Sequence, residues 1–290
     1  MTTINESFGR LVSRILPTEA ETERLQRHRR TIQTRLATTL GISDFLKVGS
    51  VVRGTSIRGD SDLDLLAKIP REGVRWGRRT MSSGTVLGNV RSELIDRLPN
   101  TAITRDVHAI VVSFGGANVD VVPAFFQSFD PRGHPVFRIP DGRDGWLDTC
   151  PGLHGDFIAA ANHASGGKLS NVARLVKFWR GCRQERVPVS SFHIEMVLAQ
   201  EQICSGVKSF AECFTEVLQS LARRECRGLH DPKGISGSIP GCPTEAQRLL
   251  ALRGVIYSRD KAKLALEAAK WSTDEARRYW SMVFNGQFPV

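Results

Sequence analysis

From about residue 40 to residue 140 the chain is made of short β-branched runs separated by Gly and Asp. From about residue 153 onward, helical periodicities replace them. This break in texture constrains the fold more than any other feature. It calls for a mixed sheet with flanking helices, followed by a helical domain, an α+β architecture. The runs Phe45–Val48, Leu63–Ile69, Ala109–Phe114 and Val119–Val122 predict strands. Apolar spacing predicts helices near Asn171–Trp179, Ser191–Glu201, Phe210–Arg224, Pro243–Ser258 and Thr273–Phe284. Gly228 to Pro243 is rich in Gly and Pro and predicts a loop. Ser272-Thr-Asp-Glu275 predicts a capping box opening the last helix. The expected domains are residues 1–150, with an N-terminal helix, and residues 151–290. Clefts between domains are where ligands usually bind, so the active site is expected there.

Charge narrows the partners. Forty Lys and Arg oppose thirty Asp and Glu in 290 residues, a net charge of +10. Such a balance favours polyanions such as nucleotides or nucleic acid. The densest basic runs are Arg24 to Arg35 and Arg71 to Arg79. The first has helical spacing and reads either as a solvated basic face or as a polyphosphate-facing helix. No apolar run is long enough to span a membrane and no signal pattern opens the chain, so a cytoplasmic protein without a membrane partner is expected. Six cysteines, at 150, 182, 204, 213, 226 and 242, include no C-x-x-C pair. No zinc site is expected, and the thiols read as reduced and mostly buried. No Ser-His-Asp or Cys-His nucleophile pair stands out.

The informative segment runs from Gly49 to Asp64. A strand ends at Gly49, and Ser50 opens a turn or short helix. Backbone N–H groups and a Ser hydroxyl there could cradle a phosphate, or Gly-Ser could be only a turn. In a strand, Asp62 and Asp64 would point to the same side, opposite the buried Leu63. They are either a solvated pair or the ligands of a divalent cation, since like charges side by side cost energy unless neutralised. Asp120 favours the second reading. It is one acid in the apolar run Asn118-Val-Asp-Val-Val-Pro-Ala-Phe125, where a lone charge is costly. On a neighbouring strand it would stand beside the other two. Three carboxylates can bridge two metal ions about 4 Å apart and drive phosphoryl transfer.

In the helical half, Ser170, Arg174, Lys177 and Gly181 recur at three- and four-residue steps, on a helix whose apolar side is Val172, Leu175, Val176, Phe178 and Trp179. That stripe is either a solvated basic face or a phosphate contact. Ser191 either caps the next helix or binds a triphosphate. Phe192 either packs in the core or stacks on a base.

Gly49-Ser50, Gly59-Asp-Ser-Asp-Leu-Asp64 and Asp120-Val-Val-Pro-Ala-Phe125 together resemble the G-S, D-x-D and third-acid signatures of the DNA polymerase β-like nucleotidyltransferase superfamily. Within it, Leu175-Val-Lys-Phe-Trp179, Ser191-Phe-His-Ile-Glu195 and the Trp-rich end from Trp271 to Phe288 resemble the bacterial CD-NTases, relatives of cyclic GMP-AMP synthase and oligoadenylate synthetase. The resemblance covers nearly the whole chain. It implies a polymerase β-like core plus a C-terminal helical domain, and a synthase of cyclic di- or trinucleotide second messengers, acting in bacterial anti-phage signalling. It implies Asp62, Asp64 and Asp120 as metal ligands and catalytic acids, with two Mg²⁺ or Mn²⁺ ions. It places Gly49, Ser50, Lys177, Ser191 and Phe192 on the nucleotide and Thr149 near the base, where a purine suits Thr. Ribonucleoside triphosphates are the implied substrates, a downstream effector binds the product, and a nucleic-acid or protein activator is one implied route of control. The competing readings are a template-independent RNA-tailing enzyme and a non-catalytic nucleic-acid-binding relative.

Overall fold

The computed structural model describes residues 3–37, 40–42, 44–60 and 62–289. They form two units, one spanning Pro17–Gly155 and one made of the chain through Leu16 together with Asp156 onward. The sequence-expected division at residue 150 differs from this in one instructive way. The N-terminal helix α1 (Ile4–Ile15) is part of the helical unit rather than of the sheet unit. Its buried stripe of Phe8, Leu11, Val12 and Ile15 explains why. Phe8 is fully buried, edge-on to Trp280 at 4.9 Å and beside Phe214, Phe284 and Phe288, a set that sequence proximity could not reveal.

The sheet unit opens with α2 (Glu19–Leu36), held at its start by a complete Thr18–Glu21 capping box. A seven-stranded sheet follows, with path order β1 (Asp44–Val48), β2 (Leu63–Lys68), β7 (Asn118–Phe129), β6 (Ile110–Ser113) and β5 (Ala102–Arg105). The strands β8 (Pro135–Pro140) and β9 (Trp146–Thr149) extend it from the far end of β7. The pair β2 and β7 is parallel; the other pairs along the path are antiparallel. Alternation along the strands sends Leu63, Leu65, Val119 and Val121 to one face. There they pack with Leu25, Ile32 and Leu36 of α2 and Val86, Leu87, Val90 and Leu94 of α4 (Ser83–Arg97). The opposite face carries a smaller cluster of Leu66, Ala124 and Phe137, and it also carries Asp64 and Asp120. Between β2 and α4 lie a short 3-10 turn (Arg71–Val74) and the two-residue strands β3 (Arg75–Trp76) and β4 (Arg79–Thr80), which form a separate hairpin. The four-residue helical turn α3 (Gly49–Val52) follows β1.

The helical unit takes in most of α5 (Pro151–Ala164), then α6 (Lys168–Cys182), α7 (Ser191–Gln200), α8 (Phe210–Arg223), α9 (Glu245–Ala268) and α10 (Thr273–Val283). The stretch expected to be a loop is one, apart from the two-residue strands β10 (Leu229–His230) and β11 (Ser238–Ile239). Ser272 caps α10 by accepting the Glu275 N–H. Trp179, Phe214, Trp280 and Phe284 are fully buried and form the aromatic centre with Phe8. All six cysteines are free, and four of them are buried. Among the described residues no helix is long and apolar enough to cross a membrane.

Candidate active site

Three local choices assemble the site on the sheet. First, β1 and β2 are joined so that Val48 stands opposite Asp64. The chain therefore turns at Gly49 directly beside that carboxylate. Gly49 has φ +76°, and a Cβ there would overlap Asp64 Oδ2. Glycine is needed for both reasons. The sequence left a phosphate cradle or a plain turn open at Gly49-Ser50. In the structure the neighbour that requires the missing Cβ at Gly49 is the Asp64 carboxylate. Ser50 follows as the second residue of α3, half-buried.

Second, β2 and β7 run parallel in a register that sets Asp64 beside Asp120. Neighbouring strands are about 4.8 Å apart, so the two carboxylates are adjacent on one face. Asp62 lies one residue ahead of β2, exposed. Third, Asp120 is half-buried on β7. Its Oδ1 is buried without a hydrogen-bond partner among the described residues. Burial raises its pKa from 3.8 to about 7, and the negative charges of Asp64, Asp62 and Asp106 push the same way.

Asp106 is a fourth acid that sequence reasoning did not single out. It follows β5 at the turn into β6, its N–H bonded to Ala109 O at 2.9 Å. No spacing rule links it to Asp120; the β5–β6–β7 pairing does.

Among the described residues, no three carboxylate, imidazole or thiolate groups converge on one point at metal-ligand spacing. The arrangement is instead one of mutually repelling acids with an orphaned buried oxygen. A divalent cation fits that donor set, because hard oxygen ligands suit such ions and an added positive charge removes the repulsion. A lone protonated acid would relieve it only in part.

Thr149 closes β9, half-buried and paired in register with Phe137, next to the fully buried Cys150. The remaining expected site residues belong to the helical unit. Lys177 on α6 is buried, and its Nζ donates to the Oε1 of Glu195 on α7, which is fully buried too. The expected basic stripe is therefore not a solvated face at this position. Burial pulls the neighbouring His193 down to about 4, so it is neutral. The cap of α7 is Ser190, whose hydroxyl accepts the His193 N–H at 3.4 Å. Ser191 is the first helical residue and is not the cap, which removes the structural alternative weighed for it. Phe192 is half-buried. Glu195 stood in the quoted sequence segment without a role, and the ion pair supplies one.

Residues 1–162, more than half of the chain, match the family model described as Second Messenger Oligonucleotide or Dinucleotide Synthetase domain. A cyclic AMP-AMP-AMP synthase of Escherichia coli (strain MS 115-1) is 32% identical over 161 residues, an alignment spanning 52% of this chain and 48% of that relative. A probable cyclic nucleotide synthase of Bacillus cereus (strain VD146) is 24% identical over 279 residues, spanning 85% of this chain and 82% of the relative. The solved structure of E. coli MS115-1 CdnC with ATP superposes with a TM-score of 0.73 at 21% identity, covering 99% of each chain. The sheet carrying the acids and the helical unit are thus elements of a shared fold. The chain belongs to the Second Messenger Oligonucleotide or Dinucleotide Synthetase family, nucleotidyltransferases built from a polymerase β-like core and a helical domain.

Proposed function

We propose that this protein joins ribonucleoside triphosphates into a cyclic di- or trinucleotide second messenger and releases pyrophosphate. The observation that carries the reading is the registered pair Asp64 and Asp120, with the buried, unpartnered Oδ1 of Asp120 and the glycine clearance at Gly49. A merely structural strand would not hold two adjacent carboxylates on an otherwise apolar sheet face, where like charges are costly.

Asp62, Asp64 and Asp120 would hold Mg²⁺ or Mn²⁺, two ions in the reading that the resemblance implies. Such ions, when bound, lower the pKa of an attacking hydroxyl and neutralise charge on the phosphates. The chain's own residues do the rest. Asp120, with its buried and unpartnered Oδ1, would accept the proton of a 2′- or 3′-hydroxyl. That oxygen bonds to the α-phosphorus, the bond to the bridging oxygen breaks, and pyrophosphate leaves. In the last transfer the terminal hydroxyl of the linear product attacks the α-phosphorus of its own 5′-triphosphate, pyrophosphate leaves and the ring closes. Ser50, Lys177 and Ser191 are assigned to the phosphates, Phe192 to the base face and Thr149 to the base edge. Ser191 suits its role because Ser190 already serves as the cap. Lys177 would share its charge between phosphate and Glu195. ATP bound to the E. coli structural relative supports triphosphate substrates. The product would act on a downstream effector in anti-phage signalling.

The test is incubation with all four ribonucleoside triphosphates and Mg²⁺ or Mn²⁺, with and without added RNA, followed by phosphatase and mass spectrometry. A phosphatase-resistant compound at a cyclic di- or trinucleotide mass is expected, absent from an Asp62→Asn/Asp64→Asn variant. Extension of the RNA without such a compound would replace this reading with RNA tailing.

A further inference from the structure

The second basic run noted in the sequence, Arg71 to Arg79, takes no part in the site just described. It forms the 3-10 turn and the β3–β4 hairpin. The hairpin is firmly rooted. Val74 is 1% exposed in the core of the sheet unit, Met81 N–H bonds to Val74 O at 2.8 Å, and Trp146 Nε1 bonds to Met81 O at 3.0 Å. Arg71 ties the root to β7, donating to Phe126 O at 3.2 Å and to Gln127 O at 2.9 Å.

The tip is the opposite in character. Trp76 is 68% exposed, although an indole normally buries its face. It pairs across the hairpin with Arg79, so indole and guanidinium share a face. Arg75 stands on the other face opposite Thr80, and Arg78 sits in the turn after Gly77, which has φ +60°. All three arginines are exposed, and among the described residues none of their guanidinium groups has an ion-pair or hydrogen-bond partner. Three cations held this close repel one another and gain nothing inside the chain. At the root, Phe126 and Phe129 form a second exposed aromatic pair at 5.0 Å, Phe129 being 66% exposed. Trp76 is five steps along the chain from Arg71, so the two aromatic features lie within about 17 Å plus side-chain reach along the backbone path.

We propose that the β3–β4 hairpin is a docking surface for single-stranded nucleic acid, with Trp76 stacking on a base and Arg75, Arg78 and Arg79 contacting phosphates. The chemistry favours this partner over an anionic membrane. Arginine presents a planar fork that matches phosphate bidentately and stacks on rings. Membrane insertion scales with apolar area, and one indole at a tip of three arginines offers little. A single strand is favoured over a duplex because only unstacked bases expose a face to the indole. The chain's net charge of +10 supports association with any such polyanion.

The experiment is fluorescence anisotropy of the full chain, without nucleotides, against a labelled single-stranded RNA of about 16 nucleotides, its duplex, and phosphatidylserine vesicles, across a salt series. The single strand should bind better than the duplex. Trp76→Ala should weaken it about tenfold, within the range for loss of one stacked base. Arg75→Glu/Arg78→Glu/Arg79→Glu should reduce the slope of log affinity against log salt by about 2, the value for three phosphate contacts on a single strand. Unchanged melting temperatures would show that the exposed tip does not hold the fold. RNA binding that is absent, or untouched by both variants, overturns the proposal; so does vesicle binding that both variants remove while RNA binding persists. Because no nucleotide is present, neither outcome bears on synthase activity, and mass spectrometry of products from the same variants keeps the two readings separate.

Discussion

Gly49 has two independent reasons to be glycine, and they act on different properties. Its φ of +76° makes any other L-residue strained, and its missing Cβ leaves room for Asp64 Oδ2. Gly49→Ala is expected to lower stability by about 1–3 kcal/mol and to remove most activity, because Asp64 must move. Thermal melting and product assay on the same samples check both halves. Asp120 gives a pH signature. Its folded pKa of about 7 lies above the ordinary 3.8. Between these values the folded protein keeps a proton that the unfolded chain has released, so stability of the metal-free protein falls as pH rises through that window. Asp120→Asn should remove this loss, raising metal-free stability above pH 7 by at most about 4 kcal/mol and changing little near pH 4. Denaturant titrations in chelator at several pH values decide it. The variant should be inactive although it is more stable. A stabilised but dead variant is the mark of an acid kept for chemistry.

At the scale of elements, α7 separates two neighbouring serines that the sequence alone left ambiguous. Ser190→Ala should cost about 1 kcal/mol through loss of the cap. Ser191→Ala should leave the melting temperature nearly unchanged and raise the KM for triphosphate. The reverse pattern would return Ser191 to a structural role. The Lys177–Glu195 pair alters what removal of Lys177 should do. Lys177→Ala removes the cation paired with the fully buried Glu195 carboxylate, a loss of about 3–5 kcal/mol, whereas Lys177→Met with Glu195→Leu should recover much of it. Melting temperatures of the single and double variants measure the difference. The elements themselves were legible to different degrees. The strands carrying the acids were readable because β-branched runs bounded by Gly and Asp leave few alternatives. The helix α4 was not singled out, although Val86, Leu87, Val90 and Leu94 have its period. The long β7 was recognised only at its start, because it bends at a register shift between Phe126 and Ser128 and carries polar residues beyond.

Across the whole molecule, the longest-range lesson is α1. Phe8 fills the aromatic centre of the helical unit from the other end of the chain, beside Trp280. Phe8→Ala should cost about 3–5 kcal/mol, and the near-ultraviolet signal of the buried tryptophans should change with it. A variant with wild-type stability would remove α1 from that core. The strand positions of Asp64 and Asp120 and the break from sheet to helices could be read from local pattern, because strand alternation and the high energy of an isolated charge act over a few residues. The parallel register that sets Asp64 against Asp120, the approach of Asp106, the burial of Lys177 on Glu195 and the membership of α1 needed the folded chain. Each depends on contacts between segments whose separation along the sequence carries no periodic signal, and only packing decides which of them meet.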